Sequence, residues 1–390
     1  MSAWIPFHKP DIGEEEIGAV VDCLRSGWLT TGPRTAAFEN DFASYLGVRR
    51  AVAVSSCTAA LHLGLLAAGI GPGDEVVTTP FTFPATVNVI LHAGAKPVFA
   101  DIDRETLNIS VAAAEQCISR RTKALVPVHY AGRACPIREL RALAEHHGLY
   151  LLQDAAHAIE TAVEGRSVAG YGHAAAYSFY ATKNISTAEG GMLASDDEEI
   201  ANRVRLLRLH GISRDAWKRY REPGHGLFTC EAVGFKCNLT DVQSALGLAQ
   251  LKRIDELWEK RRRRSQEYDR LLGSALPDVA CVCRVAEDSR VSRHAHHLYV
   301  VLLPLEQLFA DRDTIMRAME EEGIGVSLHF QPLHEMPLYA KLLGTCADDC
   351  PAASWAGQRC LSLPLYPGLE SSDQSRIVDS LVRVLDRFRR

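Results

Sequence analysis

Short apolar runs alternate with helical segments from about residue 14 to residue 250, and this alternation constrains the fold more than any other feature. Seven runs predict β-strands, at 51–54, 74–80, 96–103, 123–132, 149–158, 174–180 and 190–195. Segments with helical patterns separate several of them, such as 58–69 and 137–148. Nearly continuous apolar strands joined by helices are typical of a mostly parallel sheet that is covered on both faces. We therefore expect an α/β fold with a seven-stranded sheet flanked by helices.

The pattern changes after a long amphipathic helix predicted over about 246–272. Beyond it, 296–304 and 324–330 predict strands, whereas 311–323 and 371–390 predict amphipathic helices. This mixture is typical of a smaller α+β unit. We expect a large α/β domain over 1–255 and a small C-terminal α+β domain over 256–390.

Composition excludes several classes of function. A net charge of -5 over 390 residues argues against a general nucleic-acid binder, and the basic run at 259–270 is interpreted as the solvated face of the long helix. The eleven cysteines are scattered without zinc-knuckle spacing, so we expect reduced thiols and no metal site. The N-terminus lacks a signal-peptide core and no apolar run reaches spanning length, which predicts a cytoplasmic protein that binds no membrane.

The first strand is followed by SSCTAALHL (55–63), which combines small and hydroxyl residues with the start of a helix. Unpaired backbone N–H groups and the positive end of a helix suit a phosphate group. Plain N-capping by Ser55, Ser56 or Thr58 explains the same residues. The sequence contains neither GxxxxGK[ST] nor GxGxxG, so neither a nucleotide P-loop nor a Rossmann dinucleotide site is indicated.

Three other predicted strands also end in chemically informative residues. Asp154 follows the fifth strand and is either half of a buried ion pair or a partner for a protonated ring nitrogen. Lys183 follows the sixth and is either a surface-loop lysine or a catalytic amine. Phe81 and Phe83 follow the second, where one of them could provide a flat face for a ring while core packing explains Phe81 equally well.

Because strand ends of a parallel sheet meet at one edge, these features describe one ligand site. A phosphate site, an aromatic face, a carboxylate for a pyridine nitrogen and a lysine for an aldehyde together match pyridoxal 5′-phosphate (PLP). The sequence therefore predicts PLP as the cofactor.

The chain also resembles a known family, the DegT/DnrJ/StrS nucleotide-sugar aminotransferases, which are fold type I PLP enzymes. The resemblance covers nearly the whole chain. It is carried by GWLTTGP (27–33), SSCTAALHL (55–63), FTFPATVN (81–88), QDAAHA (153–158), SFYATKNISTAEGGM (178–192), RLLRLHGISRDAW (205–217), GFKCNLTDVQSALGLAQL (234–251) and GVSLHFQPLHEMPLY (325–339).

The resemblance implies two catalytic residues and one stacking residue. Lys183 matches the family lysine that forms a Schiff base with the cofactor. Asp154 matches the residue that pairs with the pyridinium nitrogen, and Phe83 matches an aromatic position stacked on the cofactor ring.

It also implies cofactor contacts around the phosphate and the ring. Thr58, Ala59 and Ser178 match phosphate ligands, and Cys57, which stands where many members have glycine, is expected to act through its backbone. His157 falls where many members carry glutamine near the ring and its phenolic oxygen. Asn238 matches an asparagine that reaches across a homodimer interface to the phosphate of the other subunit.

The function that the resemblance implies is transfer of an amino group from glutamate to a nucleotide-linked keto-sugar by a ping-pong mechanism. Thr30 and His329 lie in motifs that line the sugar side in the family, although a structural histidine would explain His329 as well. The stretches RLHGISRDAW and GFKCNLTD resemble those of members that aminate C4, which favours a 4-keto-sugar giving a 4-amino-4-deoxy or 4-amino-4,6-dideoxy product.

Other functions on this fold remain open. A PLP-dependent sugar dehydratase or deaminase is one alternative, but the dehydratase relatives typically replace the lysine by histidine. A cyclitol aminotransferase and a non-catalytic regulatory protein are the others.

Overall fold

The computed structural model describes residues 4–212, 229–282 and 291–390. Its strands are β1 (Arg50–Val54), β2 (Glu75–Thr78), β3 (Lys96–Phe99), β4 (Thr122–Val126), β5 (Tyr150–Asp154), β6 (Ala162–Val163), β7 (Arg166–Ser167), β8 (Ala174–Ser178), β9 (Gly191–Ser195), β10 (Ala280–Cys281), β11 (Val291–Arg293), β12 (Tyr299–Leu302) and β13 (Cys360–Leu363). The seven strands predicted in the N-terminal part are all present.

These seven strands form the central sheet in the order β1-β9-β8-β5-β4-β2-β3. The pairs from β3 through β2, β4 and β5 to β8 are parallel. Strand β9 is antiparallel to both of its neighbours, β1 and β8. The expected mostly parallel α/β sheet is therefore confirmed, with one antiparallel strand inserted near an edge.

Helices cover the sheet and build the C-terminal part. They are α1 (Glu14–Arg25), α2 (Pro33–Leu46), α3 (Cys57–Ala67), α4 (Pro84–His92), α5 (Val111–Gln116), α6 (Ile137–His147), α7 (Glu198–Leu207), α8 (Asp241–Lys252), α9 (Ile254–Ala275), α10 (Arg312–Glu321), α11 (Pro337–Leu343), α12 (Pro351–Arg359) and α13 (Ser371–Arg387). Helix α2 has proline at its first position and is followed by Gly47, whose φ of 69° is the left-handed conformation that glycine adopts without strain.

The long helix predicted over 246–272 is wrong in one respect, because the chain forms two helices there. Helix α8 ends at Lys252 and α9 begins at Ile254, with Arg253 at φ -100° and ψ 5° between them. The Arg253 guanidinium pairs with Glu16 at 2.8 Å and with Asp11 at 2.9 Å. The apolar periodicity continues through both helices, so it did not reveal a break that is held by partners distant in sequence.

The C-terminal part contains a three-stranded antiparallel sheet of β10, β12 and β13. The strand predicted over 296–304 and the helices predicted over 311–323 and 371–390 are confirmed as β12, α10 and α13. The strand predicted over 324–330 is wrong. That segment forms only single bridges, from Ile324 to Ile5 and from Ser327 to Ser362, because it touches a different chain segment at each of these residues. The boundary near residue 255 stays a prediction.

A shared hydrophobic cluster joins the central sheet to the C-terminal part. Phe81 and Tyr130, which follow β2 and β4, belong to the same buried cluster as Tyr299 and Phe330. The rings of Phe81 and Phe330 lie 6.4 Å apart between centroids. This packing places residues 327–330 opposite the carboxyl ends of the central strands.

Candidate active site

A cavity of about 580 Å³ lies at the carboxyl ends of β5 and β8 and beside the N-terminus of α3. Phe7 and residues 327–330 close its other side. Most of the residues predicted from the sequence line this one cavity, namely Cys57, Thr58, Phe83, Asp154, His157, Ser178, Lys183 and His329.

Asp154 is the last residue of β5, and its carboxylate is buried at 6% exposure. Thr86 donates a hydrogen bond to Oδ2 at 2.8 Å, and the Ala156 N–H donates to Oδ1 at 3.1 Å. Burial raises the pKa of Asp154, whereas these two hydrogen bonds and the positive charge of Lys183 lower it. Burying this carboxylate in its ionised form costs free energy, and the groups around it offset part of that cost.

Lys183 follows β8 by five residues and is half-buried against the same cavity. Burial lowers the pKa of its amine to about 8, while Cys57 and Asp154 act in the opposite direction and the nearby Arg261 adds to the lowering. A lysine with this pKa has a substantial uncharged fraction near pH 8, which nucleophilic attack requires.

The N-terminus of α3 provides the anion-binding features expected of SSCTAALHL. Ser56 is the N-cap and accepts a hydrogen bond from the Ala59 N–H at 3.1 Å. The N–H groups of Cys57 and Thr58 precede Ala60, whose N–H is the first to donate to a backbone carbonyl of the helix, that of Ser56, so they remain for a ligand. The Ser178 hydroxyl accepts from the Tyr180 N–H at 3.4 Å and keeps its own hydrogen to donate.

Gly191 allows this helix start to approach the sheet closely. A Cβ atom at this position would lie 2.3 Å from the Ser56 carbonyl carbon and 2.5 Å from the Cys57 nitrogen. Any side chain there would displace the first turn of α3. Close packing against α3 therefore explains why glycine occupies the second position of the Gly190-Gly191 pair.

Phe83 and His157 are two aromatic side chains that line the cavity. Phe83 is 62% exposed and lines the cavity, whereas Phe81 is fully buried in the core, so core packing accounts for Phe81 and stacking by Phe83 stays a prediction. His157 is buried, with its ring centroid 4.3 Å from that of His297, and its Nδ1 has no partner among the described residues. Burial, and next Lys183, lower the pKa of His157 well below its usual value.

His329 lies on the C-terminal wall of the cavity. Its Nδ1 is 3.0 Å from the Ser362 hydroxyl, and its ring stacks on Phe7 at 5.6 Å between centroids. Burial lowers the pKa of His329 to about 3. The histidine is therefore neutral and held by Ser362 and Phe7 while it lines the cavity, and its role toward a sugar stays a prediction.

Three predicted site residues lie outside the lining of this cavity in the same chain. Ala59 is buried in α3 with its N–H bonded to Ser56. Thr30 is exposed, and its carbonyl accepts from the Asp241 N–H at 3.3 Å. Asn238 donates through Nδ2 to Thr31 at 2.7 Å. Residues 213–217 of the RLLRLHGISRDAW stretch lie outside the described residues.

Residues 10–382 match the DegT/DnrJ/EryC1/StrS aminotransferase family. The chain belongs to this family. This membership confirms the resemblance inferred from the motifs and the expectation of an aminotransferase. The fold type I class is confirmed by solved relatives that superimpose on nearly the entire chain.

Members of the family with known names are similar over almost their full length. The spore coat polysaccharide biosynthesis protein SpsC of Bacillus subtilis (strain 168) is 45% identical over 379 residues, which are 97% of this chain and 96% of SpsC. PseC of Helicobacter pylori, an aminotransferase involved in pseudoaminic acid biosynthesis, has a TM-score of 0.90 and 30% identity, covering 99% of this chain and 100% of PseC.

Two further solved relatives carry ligand information in their descriptions. Spr1654 of Streptococcus pneumoniae, assigned as a sugar aminotransferase, was solved in PMP- and PLP-forms; the PMP-form has a TM-score of 0.90 and 31% identity, covering 98% of this chain and 99% of Spr1654. DesI was solved in the presence of its TDP-sugar product, with a TM-score of 0.86 and 31% identity, covering 99% of this chain and 94% of DesI.

The sequence did not identify several residues that line or support this cavity. Thr86, which donates to Asp154, lies in the FTFPATVN motif, but only the aromatic residues of that motif suggested a contact. No local pattern indicates that Phe7 meets the strand ends, whereas Ser327 and Phe330 flank His329 in a stretch that the resemblance placed on the sugar side without singling them out.

The described residues contain no cluster of three or more His, Cys, Asp or Glu side chains arranged to hold a metal ion. None of the helices in the described part of the chain has both the length and the apolar character needed to span a bilayer.

Proposed function

We propose that this chain transfers an amino group from glutamate to a nucleotide-linked keto-sugar, with PLP as cofactor. The observation that carries the proposal is the meeting of Lys183, Asp154 and the N-terminus of α3 in one cavity. Family membership supplies the class of reaction, and the cavity supplies the groups that the reaction needs.

The residues present fit PLP. The Cys57 and Thr58 N–H groups with the Ser178 hydroxyl would hold the phosphate, and the exposed face of Phe83 would pack on the ring. The unpartnered buried Nδ1 of His157 indicates that this ring meets a polar group in the working enzyme. When bound, PLP supplies an aldehyde that condenses with amines and a protonated ring that withdraws electrons from the carbon bearing the amine.

Lys183 is the residue proposed to hold the cofactor and to move the reacting proton. Its position beside the cavity and its pKa of about 8 suit an amine that alternates between nucleophile, base and acid. Its neighbours Tyr180 and Thr182 also line the cavity, so the amine would react inside the cavity rather than in open solvent.

Asp154 is proposed to keep the pyridine nitrogen protonated. Its carboxylate is deep in the cavity, and two protein donors support the ionised form. A buried negative charge is stable only when cationic or hydrogen-bonding groups face it, and the ring N–H would complete that set. His157 would orient the ring from the side, remaining neutral at physiological pH.

Substrate selection is proposed to depend on the wall formed by Phe7, Ser327 and His329. Donor and acceptor would use this cavity in turn, which gives ping-pong kinetics. The motifs RLHGISRDAW and GFKCNLTD support a 4-keto-sugar, and the TDP-sugar product of DesI supports a nucleotide-linked one. The resemblance carried by GFKCNLTD supports a homodimer in which a second subunit brings Asn238 to the phosphate, and Asn238 lies outside the lining of its own chain's cavity, as such sharing requires.

The test uses purified holoenzyme mixed with nucleotide keto-sugars and glutamate, with products identified by mass spectrometry. We expect the ketone oxygen to be replaced by an amine and 2-oxoglutarate to accumulate. Borohydride reduction should leave pyridoxyl on the peptide that contains Lys183, and Lys183→Ala should lose turnover. A Lys183→Ala variant with near-native transamination, or a product that has lost water without gaining nitrogen, would contradict the proposal.

A further inference from the structure

The Thr86 hydroxyl, which donates to Asp154, is itself in contact with a second buried threonine hydroxyl, that of Thr82. Thr82 is in the loop before α4 and is 2% exposed, and Thr86 is in the first turn of α4 and is fully buried. Their hydroxyl oxygens lie 2.8 Å apart, and Thr86 Oγ1 lies 2.8 Å from Asp154 Oδ2.

The direction of this chain follows from the number of hydrogens available. An ionised carboxylate can only accept, so the single hydroxyl hydrogen of Thr86 points to Asp154. The Thr86 oxygen must then accept from Thr82. The result is a continuous donor chain, Thr82 to Thr86 to Asp154, in which each hydrogen bond polarises the next.

The other carboxylate oxygen has its own support. Oδ1 accepts from the Ala156 N–H at 3.1 Å, and the Cys57 sulfur lies 4.0 Å from it. Since the backbone donor fixes one oxygen and Thr86 fixes the other, the plane of the carboxylate is set by the protein before any ligand is present.

We infer that Thr86, supported by Thr82, is a positioning residue that keeps Asp154 ionised and correctly oriented toward the cofactor's ring nitrogen. This inference rests on the proposed pairing of Asp154 with that nitrogen. The motif FTFPATVN would then serve two purposes, because Phe83 provides the ring face and Thr82 and Thr86 control the carboxylate at the edge of the same ring.

The experiment compares Thr86→Val, Thr86→Ser and Thr82→Val with a matched control. Thr78→Val is that control, because Thr78 is also fully buried and its hydroxyl donates to the Val126 carbonyl at 2.7 Å without touching Asp154. Each holoenzyme is loaded with PLP labelled with ¹⁵N in the ring. The two readouts are the ring ¹⁵N chemical shift as a function of pH and the single-turnover rate with glutamate.

We expect Thr86→Val to lose ring protonation at a lower pH than the wild type and to react about 10- to 100-fold more slowly, as loss of a hydrogen bond to a charged group predicts. Thr86→Ser should restore both readouts, Thr82→Val should change them in the same direction but less, and Thr78→Val should match the wild type. If Thr86→Val does not fold, Thr86→Ser and Thr82→Val decide the result.

The inference is overturned if Thr86→Val and Thr82→Val keep the native ¹⁵N profile while Asp154→Asn loses it. Equal losses in Thr86→Val and Thr78→Val would also overturn it, since general packing would then be the cause. If Asp154→Asn itself keeps the native profile, the proposed role of Asp154 is wrong, which is a separate failure.

Discussion

Lys183 differs from a surface lysine in its surroundings rather than in its chemistry. Its amine is half-buried, and burial lowers its pKa to about 8, although Cys57 and Asp154 partly offset this. Since only the uncharged amine reacts with aldehydes and acylating reagents, a residue in this environment should react selectively below the pH at which ordinary lysines do.

We predict that, in the apoenzyme, Lys183 is acylated with a rate that rises through an apparent pKa of about 8. The measurement is mass-spectrometric labelling at a series of pH values with a limiting amount of reagent. Exposed Lys96 is the internal control, and PLP should protect Lys183 but not Lys96. A rate at Lys183 that follows Lys96 across the whole pH range would contradict the prediction.

Individual residues were predictable where a strand end or a helix start marks them. Asp154 and Lys183 were found in this way, and both line the cavity. Thr86 was not found, because a threonine inside a helical turn has no distinctive pattern until its carboxylate partner is known. The same holds for Phe7, whose approach depends on packing between segments that are far apart in sequence.

At the scale of elements, the strands of the central sheet were predictable because each is a short, largely apolar run, and most of them are buried along nearly their whole length. The junction between α8 and α9 was not, since the apolar pattern passes through it unchanged. Arg253 at the junction binds Glu16, whose side chain is 0% exposed and also accepts from Gln250 at 2.8 Å. The ion pair between Arg253 and the buried Glu16 carboxylate therefore connects the N-terminal segment to the junction.

We predict that Arg253→Ala lowers the free energy of unfolding by about 3 kcal/mol, because it leaves the buried Glu16 carboxylate without its cation. Urea denaturation of the apoenzyme measures this. Arg263→Ala is the matched control, since Arg263 pairs with Glu259 but is 73% exposed, and its loss should cost less than about 1 kcal/mol. Adding Glu16→Gln to Arg253→Ala should recover part of the loss; no recovery would mean that the buried charge is not the cause.

At the scale of the whole molecule, a buried polar network lies behind the cavity and links the central sheet to the C-terminal part. Asn184, next to Lys183, donates through Nδ2 to Glu160 at 2.9 Å and to the Ala295 carbonyl at 2.8 Å. Its Oδ1 lies 3.0 Å from His297 Nδ1. Burial raises the pKa of Glu160 to about 7, with the Asn184 hydrogen bond and the charges of Arg261 and Arg293 opposing it.

This raised pKa predicts a pH-dependent stability. The native state binds more protons than the unfolded state between about pH 4.5 and 7, so the free energy of unfolding should fall as pH rises through that window. Glu160→Gln removes this contribution and should lose less stability than the wild type between pH 5 and 8. Denaturation of the apoenzymes at each pH measures the difference, with exposed Glu145→Gln as control. Parallel curves for Glu160→Gln and the wild type would contradict the raised pKa.

The proposed sharing of active sites between two subunits gives a prediction about the assembly as a whole. Asn238 is bonded to Thr31 within its own chain and lies outside the lining of that chain's cavity, so its action on a phosphate would require a second subunit. In a mixed dimer of Lys183→Ala and Asn238→Ala chains, one site would then combine both substitutions. The other site would have both native residues.

We therefore expect that co-expressing Lys183→Ala and Asn238→Ala chains with different affinity tags yields mixed dimers with about half of the wild-type activity, although each variant alone is impaired. Activity of the doubly purified species is the measurement. Pairing Lys183→Ala with a chain that carries both substitutions is the control, because no site then has a native lysine. If the mixed dimers are no more active than the Asn238→Ala protein alone, Asn238 does not act across the interface, since sharing would leave one site entirely native in every mixed dimer.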